Sequence, residues 1–109
     1  MQPYNPFKVD IFSFGVVLFC LFFEILPFEF ASPKDPLFKL IMDQKWNEFW
    51  GKHEINELKY TNINLEELKT LLEGMLCHIP ENRYSVTEVT ESEFIQALMA
   101  EELLEEDQQ

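Results

Sequence analysis

The amino-acid sequence predicts an all-α fold, a small orthogonal array of four or five helices with no convincing strand. Three observations lead there. Apolar residues recur at helical spacing in several separate runs. Two of those runs open on a cap residue followed three positions later by Glu. Glycine is scarce, with three in 109 residues, whereas small sheet-rich domains usually need more turn glycines. A symmetric bundle is disfavoured because the helices differ in length and long loops separate them.

Taken in order, residues 1–6 hold two prolines and read as an extended lead-in. From Phe7 or Lys8 to Glu24 the pattern is a helix of about 17 residues, roughly 26 Å long. After Phe12 it is apolar nearly all round, which places it at the centre of the fold. Pro27 closes it. Pro27, Pro33 and Pro36 make the next stretch a loop. Asp35 as N-cap with Pro36 at the first helical position starts a second helix, with Leu37, Leu40 and Ile41 on one face. A short piece from Lys45 to Trp50 carries Trp46, Phe49 and Trp50, and Gly51 ends it.

Residues 51–63 are polar and irregular. Asn64 then caps a helix bearing Leu65, Leu68, Leu71, Leu72, Met75 and Leu76, with Glu67 placed to reach back and Pro80 to stop it. Ser85 and Glu88 form a second capping box. The last helix sets Phe94, Ile95, Leu98, Met99, Leu103 and Leu104 on one face. The end, EELLEEDQQ, is charge-rich and expected to fray.

Composition bounds the function. With 47% hydrophobic and 15% aromatic residues, the chain is one globular domain rather than a disordered one. The net charge is −12, and residues 84–109 carry eight acids and no base. Phosphate backbones and anionic lipid surfaces repel such a chain, so nucleic acid and membrane are not expected partners. The apolar run Ile11–Phe23 is 13 residues between Asp10 and Glu24, against about 20 needed to span a bilayer. No small-residue cleavage pattern follows it. Cys20 and Cys77 lie in apolar helical patterns outside any CxxC spacing, which suits a reducing, cytoplasmic setting.

Chemistry-bearing patterns are few. His53 and His78 have no Cys or carboxylate set at ligand spacing, and glycines at 15, 51 and 74 cannot build a phosphate-binding loop. On this reading the chain has no catalytic, cofactor-binding or metal-binding residue.

Two blocks carry more specific information. The first is Val9-Asp10-Ile11-Phe12-Ser13-Phe14-Gly15-Val16-Val17-Leu18-Phe19, followed by Pro27-Phe28. It resembles the protein kinase pattern V-D-[IV]-W-S-x-G-V-x-L-x, then P-F. The second runs from Leu72 to Val89 and includes Met75-Leu76, Pro80, Arg83 and Glu88. It is similar to the family's L-x-x-M-L-x-x-D-P-x-x-R-x-[ST]-x-x-E-[VL]. Between them, Asp35 to Ile41 and Phe49-Trp50 look like the helix-G region of calcium/calmodulin-type Ser/Thr kinases. The resemblance covers residues 1–95 as a partial kinase domain, the all-α C-terminal lobe from helix F to helix I. It leaves 96–109 as an acidic tail.

The resemblance implies roles by position. Asp10 matches the helix-F Asp that accepts backbone hydrogen bonds from the catalytic loop, a task suited to a charged acceptor. Gly15 matches a glycine that permits close backbone approach. Arg83 matches the Arg that pairs with the Glu of the A-P-E motif. Leu37, Phe38, Ile41, Trp46 and Trp50 fall in the region used for substrate docking. Phe12 replaces the usual Trp, and Ile79 replaces the usual Asp before Pro80.

The Gly-rich loop, strand Lys, H-R-D, D-F-G and A-P-E motifs are absent from these 109 residues, and all would lie upstream of residue 1. ATP and Mg²⁺ are therefore expected only of a complete domain, and this chain by itself should be inactive. Three readings stay open: a segment of a longer Ser/Thr kinase, a free-standing non-catalytic interaction module, or a secreted or membrane-anchored helical protein using residues 11–23. The expected partner is protein, either the rest of a kinase domain or a substrate. Self-association is expected when the chain is isolated.

Overall fold

The computed structural model describes residues 6–55 and 63–107, excepting the side chains of 102–107. Six helices are present among the described residues and no strand: α1 (Pro6–Phe23), α2 (Pro36–Met42), α3 (Trp46–Lys52), α4 (Leu65–Met75), α5 (Val86–Thr90) and α6 (Glu93–Asp107). The expected lead-in, most of the 51–63 loop, and Leu103 and Leu104 lie outside the described residues or side chains.

Helix starts follow the sequence. Asp35 Oδ1 accepts from Leu37 N and Phe38 N at 2.9 and 3.2 Å, with Pro36 in the first turn. Asn64 Oδ1 accepts from Glu67 N. Ser85 and Glu88 make the full reciprocal box. The final helical stretch is two helices rather than one. Ser92 N bonds back to Val89 O, and its hydroxyl accepts from Ile95 N, which caps a new start.

Helix ends follow it in place more than in cause. α1 was expected to run to Glu24 and ends at Phe23, but Pro27, expected to close it, lies well beyond that end, and Gly51 lies inside α3 rather than after it. α1, α2 and α3 stop at Glu24, Gln44 and Glu54, all in left-handed backbone with φ of 60°, 58° and 56°. After α2, Lys45 N reaches Leu40 O; after α3, Ile55 N reaches Trp50 O. Both are Schellman closures without their usual glycine. Ile55, just beyond Glu54, is buried, and that anchor holds the turn against the local strain.

The core gathers around α4, whose Leu68, Leu71, Leu72 and Met75 are all buried. α1 crosses α4 through Ile11, Gly15 and Phe19. Phe19 also meets Phe49 and Trp50 of α3 at ring separations of 5.9 and 5.8 Å, and Phe22 meets Phe94 of α6 edge-on. The all-round apolar pattern placed α1 at the centre of the fold. It is covered on one side only: Phe14, Val17 and Leu21 are 55%, 52% and 65% exposed. At 18 residues it is also long and apolar enough to cross a membrane by length and composition alone.

Candidate functional site

The two chemically specific stretches of sequence meet where α1 begins. A side chain at Gly15 would place its Cβ 3.0 Å from Met75 Cβ and 3.1 Å from Leu76 Cδ2. The missing side chain is what lets α1 and α4 cross this closely. Gly74 makes room for Tyr84 in the same way: its Cβ would fall 2.4 Å from the Tyr84 ring, and Tyr84 N donates to Gly74 O at 2.9 Å.

Arg83 ties the crossing together. Its Nε donates to Cys77 O at 2.7 Å, Nη1 to Lys8 O at 2.8 Å and Nη2 to His78 O at 3.2 Å. The guanidinium stacks on the Phe12 ring, 4.9 Å from its centroid. In return the Lys8 ammonium donates to Arg83 O. Each residue's side chain thus holds the other's carbonyl, locking the start of α1 to the loop after α4. Burial pushes the Arg83 pKa down, partly offset by Cys77 and Glu81; it stays cationic, as a guanidinium does in proteins. Among the described residues no carboxylate stands in an ion pair with it. Beside this corner lies a cavity of about 370 Å³, lined by Phe7, Lys8, Ile11, Ser85, Val86 and Thr87.

Asp10 is exposed, on α1 near this corner. Positions 7, 10, 14, 17 and 21 are spaced by alternating threes and fours, so Asp10 shares its stripe with Phe14, Val17 and Leu21.

The loop after α1 is rigidly held. Asp35 Oδ2 accepts from Glu29 N and Phe30 N at 2.7 and 2.9 Å, so one buried carboxylate serves four backbone donors. Burial pushes its pKa up, but the four N–H groups outweigh this and hold it below the ordinary value. His53 Nε2 meets Pro27 O at 2.8 Å, and Phe28 packs between Phe12 and Phe38.

Of the residues expected to dock substrate, Phe38, Ile41 and Trp50 are buried, with Ile41 and Trp50 in the core. The Trp50 indole donates to Glu73, whose pKa burial raises, and Lys69 sits over its ring. Only Leu37 and Trp46 keep partly exposed surface. Among the described residues no group of His, Cys, Asp and Glu could hold a metal ion. Sequence reasoning missed Lys8 and Tyr84, which had no spacing signal of their own. It read Asp35 as a cap but not as the hub of the preceding loop.

Residues 1–95 match the family described as the protein kinase domain. The chain belongs to the protein kinase domain family. It is 35% identical over 88 residues to the serine/threonine-protein kinase ssp1 of Schizosaccharomyces pombe. That alignment covers 81% of this chain and 12% of the relative. No solved structure matches. The match and the all-helical structure together make these residues a kinase-related, helical C-terminal-lobe segment. In it the Gly15 crossing and the Arg83 clamp join the family's two sequence blocks into one corner.

Proposed function

We propose that these residues are the C-terminal-lobe portion of a protein Ser/Thr kinase, serving as the post on which a catalytic segment is assembled. The observation that carries this is α1, a helix with no polar face, bared along Phe14, Val17 and Leu21 with Asp10 in the same stripe. A segment packed there would bury the apolar side chains and bring backbone N–H groups to the Asp10 carboxylate, a strong acceptor for several donors. The Lys8–Arg83 corner beside its apolar cavity suits an incoming carboxylate such as the A-P-E glutamate. Leu37 and Trp46 are the helix-G side chains left to touch a substrate protein.

As they stand, the 109 residues hold none of the motifs that position ATP, Mg²⁺ or a hydroxyl, so they transfer no phosphate. Nucleotide and metal belong to a complete domain, and the setting is intracellular. The alternative is a free-standing interaction module of the same fold. Arg83 favours it to one degree, since its guanidinium is hydrogen-bonded within the lobe itself.

Titration calorimetry of the 109-residue chain with Mg–ATP tests the catalytic half of the reading. The expected result is no saturable heat. Saturable binding at micromolar nucleotide would overturn it.

A further inference from the structure

The uncovered face of α1 has properties that select a particular occupant when this chain stands alone. Its spacing, 7, 10, 14, 17 and 21, is the 3-4 alternation of a seam that pairs with one other helix. Within Pro6–Phe23 the only charged residues are Lys8 and Asp10, so the helix is neutral although the chain carries −12. Most of that charge is in residues 84–109, which hold eight acids and no base. The helix is therefore the region of this acidic chain on which a second, equally acidic copy can settle with least repulsion.

Size also fits. Phe14, Val17 and Leu21, with Ile25 and Leu26 just past the helix end, are all strongly exposed. They present on the order of 500 Å² of apolar surface, so a pair would bury about 1,000 Å², the lower bound of a specific interface. A single patch that faces itself makes a closed two-fold contact rather than an open chain.

We propose that the isolated chain forms a two-fold dimer through α1, with the two copies of α1 antiparallel. A parallel pair would set Asp10 against Asp10 at the same level of the seam; the antiparallel pair separates them. This rests on the reading of α1 as the surface that a larger kinase domain would otherwise cover.

Sedimentation of the purified chain at about 100 µM, near the weak end of specific association, tests it. The expected species is a dimer that dissociates on dilution and tightens with added salt, because salt screens the mutual repulsion of two acidic chains. Val17→Glu and Leu21→Glu each lower the association constant at least about tenfold, a loss of about 1.4 kcal/mol, with the helical circular-dichroism signal unchanged. Leu98→Glu, on exposed α6, leaves the dimer intact. A monomeric wild-type chain, an open-ended aggregate, a Val17→Glu chain that stays folded and dimeric, or flotation of the chain with neutral phosphatidylcholine vesicles would each overturn the pairing. Monomer would remove the pairing yet leave the kinase-lobe reading, which nucleotide binding tests separately.

Discussion

Among the described residues, Asp35 concentrates more of this fold in one side chain than any other acid. Its two oxygens accept from Leu37, Phe38, Glu29 and Phe30, so it caps α2 and also ties down the loop that leaves α1. Asp35→Asn would turn an amide N–H₂ toward two of those donors, at a cost of about 2 kcal/mol. Denaturant unfolding at neutral pH checks this. The pH dependence follows from the direction of the shift. The folded pKa lies below the ordinary 3.8, so the stabilisation is fully present above that value and is lost as pH falls through the lowered one. The gap between wild type and Asp35→Asn should therefore hold from neutral pH down to about 4 and close in stronger acid. Asp35 was legible as a cap because a short acceptor before Pro36 has few other uses. Its second oxygen was not, because the loop's return to it depends on where Pro27 and Phe28 dock. Arg83 shows the same division. The residue type stood out, but only the fold reveals that three carbonyls and the Phe12 ring receive it.

At the scale of elements, starts made by a capping side chain were legible, and the residues that make the stops were not. A helix start is set by one side chain reaching its own backbone, and Asp35, Asn64 and Ser85 all do so. α1, α2 and α3 stop where one residue enters left-handed backbone, and Glu24, Gln44 and Glu54 do it without glycine. At Glu54 the next residue, Ile55, is buried and anchors the turn, and that is a tertiary fact. The left-handed conformation costs an ordinary residue about 1 kcal/mol. Gln44→Gly and Glu54→Gly should each raise stability by up to about 1 kcal/mol, read as an upward shift in urea midpoint with unchanged slope. A lowered midpoint would mean that these side chains hold the turns through contacts of their own. The docking set shows a further limit. Leu37, Phe38 and Ile41 lie on α2 and Trp46 and Trp50 on α3, and sequence alone cannot tell which of them meet the core and which meet solvent; burial assigns Phe38, Ile41 and Trp50 to the interior.

The whole molecule is thin. Its smallest extent is 18 Å, about two helix diameters at most, so among the described residues no further layer of helices lies over the far side of α1. That geometry explains why a helix read as central from its all-round apolar pattern is bare along one stripe. The pattern was read as burial; among the described residues one face of the helix is buried, and Phe14, Val17 and Leu21 are not.

The central claim, that these residues belong to a larger kinase, is tested most directly by the mass of the protein in its own cells, blotted with an antibody against residues 91–109. The expected band is far heavier than 13.0 kDa. A single band near that mass would contradict the claim and leave a free-standing helical lobe that covers α1 by other means.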